Sequence, residues 1–229
     1  IERFLAKSLA TLPSQTKQLS LATVTGLTLL KVREGGAWAP HSHHDASDSD
    51  QEEQFDQHLW LAPDNATIMV KAIAAALSQI DAANAPRYRD NATRLTERLV
   101  QLDQELKVQL AATKNLPFLV FHDAFQYFEQ HYGLTAVGAM TLSPEHSPSV
   151  KRVHELRSRI QDLQVRCVFS EPQFEPALVA TLIEGTSARR GILDPLGVKL
   201  PAGTEAYFSL LDELAKSFNE CLLAKEIPK

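Results

Sequence analysis

The chain has 229 residues, of which 44% are hydrophobic and 22% charged. This composition is typical of a folded globular protein and excludes global disorder. The 23 basic and 28 acidic side chains give a net charge of −5, and residues 41–53 alone hold five acids and no base. The rest of the chain is therefore neutral, which excludes the concentrated basic face of a nucleic-acid-binding protein and a polybasic membrane surface.

The first half of the chain is expected to be mainly helical. Residues 1–7 are typical of an amphipathic helix rather than of a signal peptide, and no apolar run reaches the ~18 residues of a membrane span, so the chain is not expected to be an integral membrane protein. The pattern predicts a helix over 2–12, a β-rich run over 19–32 and a charged loop over 41–53. Apolar residues then take helical spacing from residue 63 onwards.

A second, longer helix is the strongest element that the sequence predicts. Apolar residues recur every three or four positions over 87–114 without an interrupting Gly or Pro, and Pro86 suits its first turn. A helix of this length spans about 42 Å, more than most helices inside a single lobe. This favours a helix that runs along a two-lobed body.

Strands and helices alternate regularly in the remainder of the chain. Strands are predicted over 118–121, 134–142, 166–169 and 191–193. Helices are predicted over 124–132, 150–163, 176–184 and 204–223. This alternation predicts an α/β fold in which a parallel sheet is covered by helices on both faces.

Polar residues follow three of these strands directly. They are His122-Asp123, Ser170-Glu171 and Asp194-Pro195. Ligands of parallel sheets bind beyond the carboxyl ends of the strands, so a histidine and two carboxylates there form a ligand set for a cation. From the residues alone, His58 and His122 could each be a metal ligand or a structural histidine.

The charged loop and the cysteines leave alternatives open. His41, His43 and His44 lie among acids, a pattern that favours loose binding of zinc, copper or nickel but also fits a solvated run of charges. Cys167 and Cys221 lack C-x-x-C spacing, and a disulfide and two buried thiols remain equally open. Catalytic motifs are missing: residues 154–158 begin like a zinc-protease helix but have Ser158 where its second histidine must stand.

Four motifs along the chain, in this order, resemble the periplasmic zinc-binding proteins of bacterial zinc-uptake ABC transporters (the ZnuA type). They are HLWLAP at 58–63, FHDAFQYF at 121–128, CVFSEPQF at 167–174 and LDPLG at 193–197. The resemblance covers essentially the whole chain. It implies two Rossmann-like α/β lobes joined by one long helix, with a metal cleft between the lobes.

The resemblance also implies a division of the chain into three parts. They are a partial N-terminal α/β lobe over 1–85 with the loop 41–53, a connecting helix over 86–114 and a C-terminal α/β lobe over 115–229. The N-terminal lobe is expected to be incomplete, because Ile1 aligns well inside the lobe of family members. The family's first histidine ligand lies in the region that this alignment leaves out.

By motif match, the resemblance implies a zinc site formed by His58, His122 and Asp194. Manganese-type relatives usually carry Glu at the position of His122, so histidine there favours zinc, which imidazole also prefers over manganese. The cysteines match a pair that forms a disulfide in zinc-type members. A secondary metal site is expected in loops, from His41, His43, His44 and His146.

These inferences predict zinc capture in the periplasm and delivery to an ABC permease, without catalysis; a periplasmic zinc chaperone is a further expected partner. The alternative is a zinc-dependent hydrolase that uses the same His/His/Asp set with an open coordination position. A third hypothesis is a surface adhesin or metal reservoir that depends on the loop alone. Because histidine ligands must be deprotonated, zinc affinity is expected to fall as the pH drops through about 6.5.

Overall fold

The computed structural model describes residues 5–35, 37–38, 55–141, 149–174 and 177–224. Its strands are β1 (Phe118–His122), β2 (Ala136–Thr141), β3 (Cys167–Ser170) and β4 (Arg189–Ile192). Its α-helices are α1 (Ala6–Leu9), α2 (Pro63–Ile80), α3 (Ala85–Gln109), α4 (Gln126–Tyr132), α5 (Val150–Asp162), α6 (Ala177–Ile183) and α7 (Ala206–Leu222). Within these ranges, no helix is both long and apolar enough to cross a membrane.

The four strands form one parallel sheet in the order β2-β1-β3-β4. Successive residues of β1 face opposite sides, so that Phe118 and Val120 pack in a core with α3, α4 and α7, whereas Leu119 and Phe121 pack with α5 and α6. Both faces are covered, which explains why β1 is an unbroken apolar run before its last residue. The predicted α/β fold is confirmed.

The long helix α3 has 25 residues and begins with Pro86 in its first turn. It ends at Gln109, earlier than expected, because a short 3₁₀ turn (Ala111–Thr113) redirects the chain towards β1. Its apolar stripe enters the core through Leu99, Leu102 and Leu106. This helix therefore connects the residues before the sheet to the sheet itself.

The β-rich run expected over 19–32 is wrong. These residues contain a 3₁₀ turn (Leu21–Thr23) and otherwise extended chain, with one isolated antiparallel bridge between Lys31 and Phe55. Side chains take the place of a neighbouring strand: Thr28 exchanges two hydrogen bonds with the Asn65 amide, and the Leu30 N–H donates to the Tyr127 hydroxyl. We call residues 28–34 the strap.

A disulfide joins Cys167 and Cys221, with the Cα atoms 6.1 Å apart. Cys167 begins β3, where it pairs with the first residues of β1 and β4, and Cys221 lies near the end of α7. The disulfide expected from the resemblance is confirmed. It lies at the amino edge of the sheet.

Candidate metal centre

The polar residues at the ends of three strands lie at the carboxyl edge of the sheet. His122 is the last residue of β1, Glu171 follows β3, and Asp194 lies two residues beyond β4. Neighbours β1 and β3 are separated in the chain by β2, which pairs on the other side of β1. This reversal of strand order is the position where open α/β sheets bind ligands.

His122 is held in place by Glu171, which is only 3% exposed. The ring Nδ1 and the backbone N–H of His122 both donate to Oε1 of Glu171. An ionised carboxylate can only accept, so Nδ1 carries the ring proton and Nε2 keeps its lone pair. Nε2 of His122 is thus a candidate metal-binding nitrogen.

His58 has the same arrangement with Asp56. Its Nδ1 lies 2.6 Å from Oδ1 of Asp56, which also accepts from the His58 backbone N–H at 3.0 Å. Asp56 is 5% exposed. The ring centroids of His58 and His122 are 5.4 Å apart. Two histidines, each oriented by a buried carboxylate, therefore meet at this edge.

Contacts through Trp60 fix His58 against the C-terminal part of the chain. The Trp60 indole N–H donates to the Pro195 carbonyl at 3.0 Å, and the Tyr207 hydroxyl donates to the Trp60 carbonyl at 2.7 Å. Residues 58–60 thus pack beside the turn that follows β4. This packing brings a histidine that precedes α2 to the edge of a sheet that begins 60 residues later.

Asp194 is engaged in its own turn. Its two carboxylate oxygens accept from the backbone N–H groups of Leu196, Gly197 and Val198 at 2.7–3.1 Å and from the Gln173 side chain at 2.9 Å. In the part of the chain that the structure describes, no group of three or more His, Cys, Asp or Glu side chains is placed to hold a metal ion. The histidines come together, and Asp194 lies at the same edge with its oxygens turned to the loop.

The loop histidines expected to form a secondary site lie outside the described residues. They are His41, His43, His44 and His146.

A buried ionic cluster next to His122 was missed by the sequence analysis. Arg33 of the strap makes a two-bonded ion pair with Asp123 and contacts Oε2 of Glu129 at 2.6 Å. Its guanidinium also stacks on the Trp38 ring at 3.5 Å. The signal available in the sequence was a single arginine directly after the β-rich run 19–32, but nothing in the pattern identifies its partners.

The fold and the histidine pair define an α/β protein with a candidate metal site at the carboxyl edge of its sheet. Solved structures share this fold. The chain is similar to a crystal structure of ZnuA (TM-score 0.79, 23% identity, covering 96% of this chain and 76% of that one). It is also similar to a ZnuA deletion mutant with zinc bound (TM-score 0.68, 23% identity, covering 88% and 68%).

Sequence comparisons identify the family. The family model described as zinc-uptake complex component A, periplasmic, matches residues 1–221. The high-affinity zinc uptake system protein ZnuA of Brucella abortus (strain 2308) is 40% identical over 97% of this chain and 74% of the relative. The Yersinia pestis protein of the same name is 31% identical over 97% and 73%. The chain therefore belongs to the family of periplasmic A components of zinc-uptake complexes. This is a family of transport components and not of enzymes, so the hydrolase alternative receives no support.

Proposed function

We propose that this chain captures a zinc ion in the periplasm between His58 and His122 and delivers it to the permease of an ABC transporter. The observation that carries the proposal is the pair of histidines with Nδ1 held by Asp56 and Glu171. Carboxylates behind metal-bound histidines fix the tautomer and make the ligand nitrogen more basic. The names of the relatives support zinc as the cargo.

The distance between the two rings suits one shared ion. Two imidazoles bound through Nε2 to a tetrahedral zinc ion have ring centroids about 5 Å apart, given Zn–N bonds of about 2 Å. The observed separation of 5.4 Å is close to this value. This separation of the rings therefore permits both histidines to bind one ion.

Asp194 is the proposed third ligand. It lies at the same edge, and a carboxylate beside two neutral imidazoles suits zinc. To reach the ion, it must exchange hydrogen bonds of its turn for a bond to the metal. Four-coordinate zinc then keeps one further position for water or another donor.

The loop histidines form a second proposed site of lower affinity. Histidines among acids favour loose binding of a cation, so this site is expected to collect zinc more weakly than the pair His58 and His122 does. Its residues are His41, His43, His44 and His146. A periplasmic zinc chaperone as a further partner stays a prediction.

Calorimetric zinc titration with a competing chelator tests the capture site. We expect one tight site in the wild type, its loss in His58→Ala and in His122→Ala, and its retention in His154→Ala. His154 is exposed on α5 and serves as the matched control. Tight binding that is unchanged in both site variants would contradict the proposal.

A further inference from the structure

Four charged side chains lie together behind the histidine pair. Arg33 contacts Asp123 and Glu129 directly, and Asp56 and Asp123 both act electrostatically on Glu129. If all four were ionised, the cluster would hold three negative carboxylates and one positive guanidinium. The cluster is buried: Asp56 is 5% and Glu129 4% exposed, so water contributes little to compensating the excess negative charge.

Two oxygens of this cluster have no hydrogen-bond partner among the described residues. They are Oδ2 of Asp56 and Oε1 of Glu129. Buried polar atoms are nearly always paired, so two orphaned carboxylate oxygens in one charged cluster require an explanation. A proton is the smallest group that would remove the excess charge.

Glu129 is the member of the cluster best placed to hold this proton. The pKa of Glu129 is raised to about 7, and burial of the carboxyl group is the largest cause. The negative charges of Asp123 and Asp56 act in the same direction, and the attraction of Arg33 offsets these effects only in part. Tyr127, on the same helix, adds no charge, since burial raises its pKa to about 12.

We propose that Glu129 is a proton site coupled to metal capture, so that its carboxyl group holds a proton in the metal-free protein and releases it when zinc binds His58 and His122. This inference rests on the proposed function. On release, the O–H bond breaks, its electron pair stays on the carboxylate beside Arg33, and the proton passes to solvent. The cluster then carries two net negative charges next to the two positive charges of the ion.

Both residues of the histidine pair, His58 and His122, are linked to the charged cluster. Asp56 holds the ring of His58, and Asp123 follows His122 directly in the chain. Bound zinc withdraws electron density through the His58 ring and compensates the charge of Asp56. The repulsion that favours the protonated form of Glu129 thereby decreases.

Calorimetric zinc titration in two buffers of different ionisation enthalpy measures the protons released per ion. At pH 7 a group with a pKa of about 7 is half protonated, so the wild type is expected to release up to about half a proton more than Glu129→Gln. At pH 8 the difference is expected to shrink to about a tenth of a proton. Protons from the histidines are common to both proteins and cancel in this difference.

Glu97→Gln is the matched control, because Glu97 is an exposed glutamate of α3, and it is expected to release as many protons as the wild type. Equal proton release by the wild type and Glu129→Gln, with zinc bound by both, would overturn the coupling and leave the proposed function intact. Failure of the wild type to bind zinc would overturn the proposed function itself, and the coupling with it.

A second measurement uses the wild type alone, in case Glu129→Gln does not fold. Infrared difference spectra of the zinc-bound and zinc-free protein at pH 6.5 are expected to show loss of the C=O stretching band of a protonated carboxyl group. An unchanged band would overturn the proposal.

Discussion

The carboxylate of Asp56 accepts hydrogen bonds from both the backbone and the ring of His58, and this double contact fixes the orientation of the ring as well as its tautomer. The proton is kept on Nδ1, so Nε2 remains the free base that a metal ion requires. The same logic applies to Glu171 and His122 across two adjacent strands. Each of the two proposed histidine ligands thus depends on a carboxylate that is not itself a proposed ligand.

Asp56→Asn is expected to lower the zinc affinity about 10–100-fold. The asparagine amide can donate to Nδ1 of His58, which shifts the ring proton to Nε2 and removes the lone pair that binds zinc. Competition with a chelator measures the affinity.

Asp90→Asn changes an exposed aspartate of α3 in the same way and is expected to bind zinc like the wild type. If Asp56→Asn also kept the wild-type affinity, the carboxylate would have no part in orienting the ligand.

The sequence identified some of these residues and not others for a physical reason. His58 and His122 lie in short motifs that contiguous residues define. Arg33 and Asp123 are 90 positions apart, and their ion pair exists only because the strap crosses the start of α4. Such pairings depend on the tertiary path of an extended segment, which no local pattern encodes.

At the level of elements, hydrophobic periodicity predicted the helices and strands of the C-terminal part to within a few residues. Those elements have an internal signal: helices carry a stripe of apolar residues and the covered strands carry apolar runs. The run 19–32 has β-rich composition, but a strand also needs a hydrogen-bonding neighbour. Asn65 and Tyr127 supply these bonds from side chains, and their role could not be read from the run itself.

Removal of the disulfide tests how much the covalent link between two elements stabilises the fold, because Cys167 and Cys221 connect the start of β3 to the end of α7. The double variant Cys167→Ala/Cys221→Ala is expected to lower the free energy of unfolding by about 4 kcal/mol, from the entropy of the 54-residue loop. Urea unfolding under non-reducing conditions measures this loss.

Zinc affinity of the same double variant is expected to stay unchanged. The disulfide lies at the amino edge of the sheet and the histidine pair at the carboxyl edge. The end of α7 also stays attached, since the Arg189 guanidinium donates to the Cys221 carbonyl at 2.8 and 3.0 Å, a contact that alanine preserves. A folded double variant with weakened zinc binding would show that the two edges are coupled.

At the scale of the whole molecule, the charged segment 41–53 is attached to the body near both of its ends. Before it, the Ala139 N–H and the Arg152 guanidinium both donate to the Ala37 carbonyl. Gly138 permits this approach, since a Cβ there would lie 2.7 Å from the Ala37 carbonyl oxygen. After it, Phe55 bridges to Lys31, and Asp56 holds His58. The contacts that hold the chain on either side of the charged segment, and those that orient His58, are therefore made by residues outside 41–53.

The triple variant His41→Ser/His43→Ser/His44→Ser separates the proposed capture site from the loop. It keeps the length and the acids of the segment and removes only its imidazoles, so weak zinc binding is expected to decrease while one tight site remains. The reason is that His58 and His122 are oriented by Asp56 and Glu171, which do not belong to the loop. Zinc stoichiometry and affinity from calorimetry distinguish the outcomes, with His154→Ser as control. Loss of the tight site together with the weak ones would instead assign capture to the loop, as a metal reservoir requires.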